Sequence, residues 1–384
     1  MQFTELRVQD PATKTYLGSP SIVQLPNGDL LATHDYFGPG CPLNHEGEEH
    51  LTSVYRSRDD GQNWSNVTHI ANAFWSGLFC LGDAAYLIGT SQQYGSIVIR
   101  RSTDGGNTWT HPRDEQSGLL FRGGAYHTPP NYHCAPVPVC VVEGRIYRAF
   151  EDNTPCDWPS GFQACVISAD ANADLLDASS WRISNKLAFD LNWAPAEWGA
   201  VAKAGWLEGN VVPGPDGGMW NVLRVNARST EQVGWPVWNK AALVRIEDAG
   251  QRLTFDPATG FIELPGGHTK FTIRRDEQTG IYATLSNGVD DVEHSSNRAV
   301  LSMYSSRDLR TWQHCKVLLA DDLGLPWQDS AQLTGFQYVD WQFDGEDLLY
   351  LVRTAYDGAH NYHDANRITF HRLSSFRDLL ERDN

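Results

Sequence analysis

Two stretches of this chain are near-copies of one another. Ser57-Arg-Asp-Asp-Gly-Gln-Asn-Trp64 and Ser102-Thr-Asp-Gly-Gly-Asn-Thr-Trp109 both read Ser-x-Asp-x-Gly-x-x-Trp. A recurring unit constrains architecture more than any other sequence feature, because one unit cannot bury its apolar face alone and must stack on the next. Each copy follows a β-rich run, 52–56 and 96–100. The residue types suit a tight hairpin tip: Asp accepts backbone N–H groups, Gly supplies positive φ, and Trp folds back as an apolar plug.

Around these copies the chain repeats a pattern of strand, turn, strand, long loop, third strand. The first two strands of successive units are read at 21–25 and 30–34, 78–81 and 85–88, 135–139 and 145–150, 210–212 and 219–224, 270–273 and 281–285, and 337–341 and 348–353. Asp, Asn and Gly fill most of the intervening turns, the hairpin signature. The period is roughly 60 residues, a little above that of a usual propeller blade. Weaker copies of the motif occur at Ser306, Asp308 and Trp312, and at Ser168, Asp170 and Trp181. The pattern predicts an all-β fold over residues 1–384 as one domain: a β-propeller of six four-stranded antiparallel blades, with a seventh hidden in the long insertions as the alternative. The run 3–8 belongs to no unit and is expected to form the outer strand of the last blade, closing the ring and removing an exposed edge. Short helical turns are expected at 177–180 and 375–381.

Composition narrows the function. A formal charge of −17 argues against nucleic-acid or membrane-surface partners, which require basic patches. No apolar run is long enough to span a membrane. The N-terminus lacks a basic, then apolar, leader pattern, so the expected location is cytoplasmic, or exported with the signal peptide absent from this chain. Seven cysteines, odd in number and without CxxC pairs, read as free thiols rather than as a disulfide framework.

The repeated motif resembles the Asp-box of the sialidase-like β-propellers. In such a ring the starts of first strands and the ends of second strands open on one face, around a central funnel. This places His34, Glu151, Arg224, Asn226 and Arg353 (strand ends) with His133, Glu208, Asn210, Lys270 and Tyr338 (strand starts), and His363 from the loop after Arg353. The segments 126–134 and 360–364 are rich in His, and zinc or calcium binding there is a minor alternative to acid–base use of the imidazoles. No cofactor is expected.

Sialidases carry an Arg-Ile-Pro motif on the first strand, whose Arg joins two others in gripping the substrate carboxylate. The corresponding stretch here, 18–23, has no Arg, and no Tyr–Glu nucleophile pair is identifiable from the sequence. The segments 133–138, 144–151, 206–210, 270–274, 335–341 and 363–371 resemble the propeller rhamnosidases and rhamnosyl-glucuronate lyases, and more distantly the ulvan lyases. That resemblance implies an exo-acting enzyme removing a terminal, rhamnose-like sugar from an acidic, uronate-containing oligosaccharide or polysaccharide. Hydrolysis is favoured. β-Elimination, with His133 as base and Tyr338 or His363 as acid, is the alternative, and a glycan-binding propeller without catalysis is the second. The catalytic candidates are His133, Arg224, His34 and Tyr338. Glu208, Asn210, Asn226, Arg353, His363, Glu151 and Lys270 are candidates for substrate contact. Oligomeric state is not legible.

Overall fold

The computed structural model describes residues 3–229, 237–291 and 293–380. The described strands form six antiparallel sheets, each running outward from an inner strand. Blade 1 is built on Ser21–Gln24, Leu30–Phe37, Leu51–Ser57 and Ser65–Ala71. Blade 2 has Phe74–Leu81, Ala84–Thr90, Ile97–Ser102 and Leu119–Phe121. Blade 3 has Tyr132–His133 and Cys140–Val142 inside, then Arg145–Asn153, Phe162–Asp170 and Trp181–Ile183. Blade 4 has Val201–Pro213, Met219–Ser229, Lys240–Glu247 and Arg252–Thr254. Blade 5 has Thr272–Arg275, Tyr282–Ser286, Val300–Ser306 and Gln313–Ala320. Blade 6 has Gly335–Asp344, Asp347–Ala355 and Arg367–Leu373, and its outer strand is the N-terminal Thr4–Val8, paired Thr4 to Phe370 and Val8 to Arg367. The expected closure is therefore present.

Two details differ from the sequence reading. The inner strand of blade 3 is interrupted at 134–139, where Pro136 and Pro138 lack the N–H groups a ladder requires. The weak copy of the motif at 168–181 does lie at a hairpin connection, with Ala169 paired to Trp181 and Trp181 Nε1 donating to Leu175 O, but Ser168 Oγ leaves the turn and donates to the Ala249 carbonyl in blade 4. Short helices occur at Ala178–Ser180, Arg377–Leu380 and, unanticipated, Trp327–Leu333; Glu381 lies outside the described residues. No helix among the described residues is long and apolar enough to cross a membrane.

The core is distributed between blades. Six apolar clusters among the described residues each join two adjacent sheets, for example Leu31 and Val54 of blade 1 with Leu78 and Leu87 of blade 2. The Ser-x-Asp turns fasten these seams. Ser57 Oγ bonds Asp59 and accepts from Gly61 N, Asp59 accepts from Asn63 N, and Trp64 Nε1 donates to Gly61 O. The same bonds recur at 102–109. At 306–312 Leu309 takes the glycine position with φ 64°. Each turn packs on the preceding blade: Trp64 meets Phe370 of blade 6, edge to face at 5.5 Å. Gly61 sits at φ +83°, and a Cβ there would lie 2.1 Å from the Phe370 ring. Gly61→Ala is therefore expected to lower stability by about 1–3 kcal/mol through strain and overpacking, read as a lower thermal midpoint with the sheet signature of the folded state retained.

Around the axis, buried polar groups tie inner strands together. Ser21 Oγ donates to Asp340 and accepts from Leu78 N, joining blades 6, 1 and 2. Asn210 Oδ1 accepts from Ile273 N while its Nδ2 donates to Phe271 O. Lys270 Nζ donates to Val339 O at 2.6 Å and Thr272 Oγ1 at 2.7 Å.

Candidate active site

Three inner strands break their ladders at one end of the ring. The register slips between Phe74 and Gly77 in blade 2, Leu207 and Asn210 in blade 4, and Gln337 and Asp340 in blade 6. Each bulge holds a non-glycine residue in the left-handed region: Trp75 at φ 44°, Glu208 at φ 56° and Tyr338 at φ 52°. Bulges re-aim side chains, and left-handed conformations in non-glycine residues cost energy and cluster at functional sites. All three residues line the same cavity of about 340 Å³.

Inside it, Tyr338 Oη donates to Glu208 Oε1 at 2.9 Å, and Arg224 Nη1 donates to Glu208 Oε2 at 2.9 Å. The Arg224 guanidinium is fixed in turn by Nε donating to His268 O at 2.8 Å. Burial acts to raise the Glu208 carboxyl, but the charge and hydrogen bond of Arg224, with His133 and Tyr338, outweigh it and hold Glu208 below the usual carboxylate range. Burial, reinforced by Glu208, raises the Tyr338 phenol against the three neighbouring guanidiniums. The resting pair is thus a phenol donating to a carboxylate. Two further guanidiniums face the same ring: Arg353 at 4.9 Å and Arg298 at 5.5 Å from its centroid. Neither pairs with a carboxylate among the described residues. Burial pushes Arg353 down only to about 10, so it stays charged near neutrality.

On another wall, His133 Nδ1 meets Glu151 Oε2 at 2.9 Å, and Glu151 Oε1 accepts from Gly209 N, next to Glu208. A carboxylate on one ring nitrogen fixes the imidazole's orientation and leaves Nε2 free to exchange a proton. Trp75 packs edge-on to His133 at 4.2 Å and Phe162 lies at 4.7 Å. Asn226 Nδ2 donates to His268 O, while Asn226 Oδ1, Arg298 Nε and Arg353 Nε are buried polar atoms without a protein partner among the described residues. Buried polar atoms ordinarily find partners; of these, Asn226 Oδ1 and Arg298 Nε belong to residues on the cavity wall, where a ligand can reach them.

Of the sequence-predicted residues, His133, Glu208, Arg224, Asn226, Tyr338 and His363 line the cavity. Glu151 stands behind His133. Arg353 lies between the Tyr338 ring and Phe37, with Nη2 donating to His363 O at 2.6 Å. His363, about half exposed, is bonded to Asp364; partial desolvation and the nearby Arg353 charge push it down to about 4, hence neutral. Asn210 and Lys270 are not on the wall: both are spent on the inter-blade bonds described above. His34 is also placed elsewhere, buried in blade 1 with Nδ1 on Asp35 O and Nε2 3.3 Å from Tyr55 Oη, and pushed by burial to about 4. The polar end of a strand was there read as funnel, but the ring packs between Tyr36 and Tyr55.

Two expectations are reversed. A Tyr–Glu pair does exist, made by residues far apart in the chain. Three guanidiniums also converge although residues 18–23 have none: blade 4 supplies Arg224, blade 6 Arg353, and the loop before Val300 in blade 5 supplies Arg298, which sequence reasoning missed. It also missed Trp75, Tyr94, Trp158, Phe162 and His268 on the cavity wall, while Tyr362, on the loop after Arg353 where the sequence placed it, is there. The loop position of Arg298, following the second strand of its unit, was the available signal. The His-rich segments do not converge as metal sites: no three His, Cys, Asp or Glu side chains among the described residues are so arranged. His127 bonds Glu48 and His133 bonds Glu151, while Cys134 Sγ faces Trp75 O. All seven cysteines are free.

No family model and no curated protein matches the chain. Solved structures do. An α-L-arabinanase of Penicillium chrysogenum, complexed with arabinobiose, aligns at 15% identity and TM-score 0.60 over 99% of both chains. The α-L-arabinofuranosidase Arb93A of Fusarium graminearum aligns at 13% identity and TM-score 0.60, again over 99% of both. The Trypanosoma rangeli sialidase with sialic acid aligns at 13% identity and TM-score 0.55, over 92% of this chain and 54% of its own. At such identities the likeness is one of fold, and the chain shares the β-propeller of these proteins.

Proposed function

We propose that the protein is an exo-acting, retaining glycoside hydrolase that removes a terminal sugar from an acidic glycan, with Tyr338 as nucleophile. The observation that carries this reading is the Tyr338–Glu208 hydrogen bond at 2.9 Å, in a cavity lined by Arg224 and Arg298, with Arg353 against the Tyr338 ring. Retaining glycosidases usually employ two carboxylates, and sialidases substitute a tyrosine as nucleophile. A neutral phenol approaches an anionic sugar without the repulsion a carboxylate would meet.

In the first step Tyr338 gives its proton to Glu208 as its oxygen bonds the anomeric carbon. The glycosidic bond breaks, and the leaving oxygen takes a proton from His133 Nε2. In the second, water attacks that carbon, His133 recovers a proton from the water, and the tyrosyl oxygen leaves and regains its own from Glu208. Arg298 and Arg353, unpaired by carboxylates, fit a carboxylate on the sugar being cleaved. The expected rhamnose-like terminal sugar on a uronate is the competing substrate. The propeller is also the fold of proteins described as arabinofuranosidase and sialidase.

The test is a panel of oligosaccharides ending either in an acidic sugar or in rhamnose linked to glucuronate, followed by proton NMR. Release of a sugar with retained anomeric configuration supports the proposal. An unsaturated uronate product instead indicates β-elimination, and binding without turnover indicates a lectin. A pH profile gives a further check. Arg224→Gln removes the partner that keeps Glu208 below its ordinary value, so burial prevails and the acidic limb of kcat/KM moves to higher pH.

A further inference from the structure

A second concavity, of about 410 Å³, adjoins the cavity. The loop following the second strand of blade 2 is their common wall: Gln93 and Tyr94 face the cavity, while Ser91, Gln92, Gly95 and Ser96 face the groove. The chain as a whole carries −17, yet this groove is lined by Arg100, Arg113 and Arg122 together with His45 and His111. Its one carboxylate, Glu46, is occupied: it accepts from Tyr126 N at 2.9 Å and Gln92 Nε2 at 3.0 Å, and lies 3.7 Å from His45.

The cations are differently held. Arg100 is buried, at 3% exposure, and donates only to carbonyls of Ala71, Asn72 and Thr110 and to His111. Its charge has no carboxylate partner among the described residues, and its Nε has no hydrogen-bond partner. Arg113 pairs with no carboxylate among the described residues. Arg122 meets Glu115 at 3.2 Å in an exposed pair, worth little against a better-placed anion. At the rim, Tyr126 is 65% exposed and held at φ 50°, followed by His127 at φ 58°. Two successive left-handed non-glycine residues beside an exposed aromatic ring are costly in a loop with no task, and such a ring offers a face for stacking on a sugar.

We infer that this groove is a subsite for the part of the glycan beyond the scissile bond, holding anionic substituents of its sugar rings, carboxylate or sulfate, on Arg113 and Arg122 with Tyr126 as the stacking platform. It rests on the reading of the adjoining cavity as the place of cleavage, and extends it: the substrate is acidic on both sides of the bond. Buried Arg100 sets the positive potential from beneath.

The test uses the full chain and three probes in calorimetric titration: a glucuronic acid tetrasaccharide, its carboxyl-reduced neutral counterpart, and a sulfated neutral tetrasaccharide. Arg113 and Arg122 are exposed, so R113Q/R122Q should fold as the parent does, checked by its melting midpoint. The expected result is tight binding of an anionic probe, weakened about tenfold or more in R113Q/R122Q and by added salt, with the neutral probe weak and indifferent to the variant. The carboxylate and sulfate arms identify which anion is taken. Equal affinity of parent and variant, equal binding of the neutral probe, or no binding of either anionic probe overturns the inference. Tyr338→Phe keeps the two claims apart: it should retain parental affinity for the anionic probe. If it remains fully active, the catalytic reading fails while the groove stands; if only R113Q/R122Q is without effect, the groove fails alone.

Discussion

Tyr338→Phe is expected to lower kcat by on the order of 10³-fold or more while leaving KM nearly unchanged. The substitution deletes one oxygen. The ring would still sit between Arg298 and Arg353 and still fill the bulge, so the cavity keeps its shape. What disappears is the atom that bonds the anomeric carbon, and without it the reaction has no covalent path. Glu208 loses one of its two side-chain donors but keeps Arg224, so the carboxylate is not stranded and folding should be unaffected. Steady-state kinetics on the cleaved oligosaccharide, with a thermal melt as control, gives the comparison. A decrease in affinity at unchanged kcat would assign Tyr338 to binding alone.

Arg298→Met should have the second largest effect, and a selective one. Arg298 lies over the Tyr338 and Tyr362 rings at 5.5 and 5.9 Å and is held by Gln337. Among the described residues its Nε is unmet and no carboxylate pairs with it. Methionine fills a similar volume and removes a buried cation that pairs with no carboxylate among the described residues, so the fold is not expected to suffer. An acidic sugar, however, loses a charge-assisted hydrogen bond worth about 2–3 kcal/mol, or on the order of 10²-fold in kcat/KM. A substrate whose carboxylate is converted to the amide should feel far less. Equal losses on the acid and the amide would place the anion elsewhere in the cavity.

The ring was legible because turns obey local chemistry. Asp59, Gly61 and Trp64 make their bonds within one loop, so their spacing carries the structure of the turn with it. The closing strand was legible for a similar reason: Thr4–Val8 had β character and no unit of its own. The site was legible only in part. His133, Glu151, Arg224 and Arg353 lie where strand ends open on the funnel, and a count along the repeat finds them. The same count admits His34, Asn210 and Lys270, because it places a residue at an end without saying which side of the strand it leaves. The pairing of Tyr338 with Glu208 was hidden for a different reason. Both sit in bulges, which break the alternation of side chains from face to face, and nothing in the local composition announces a one-residue slip. Arg298 sits in a loop, whose path is set by the blades it bridges rather than by its own residues.

The most direct test of the central claim is to trap the intermediate. A substrate fluorinated beside the anomeric carbon slows formation of the positively charged transition state, and an activated leaving group still lets the first step proceed. Digestion and mass spectrometry of the protein after incubation should then show one glycosyl group, on the peptide containing Tyr338 and absent from Tyr338→Phe. A glycosyl group on a carboxylate such as Glu208 or Glu151, or turnover with inversion and no adduct, would contradict it.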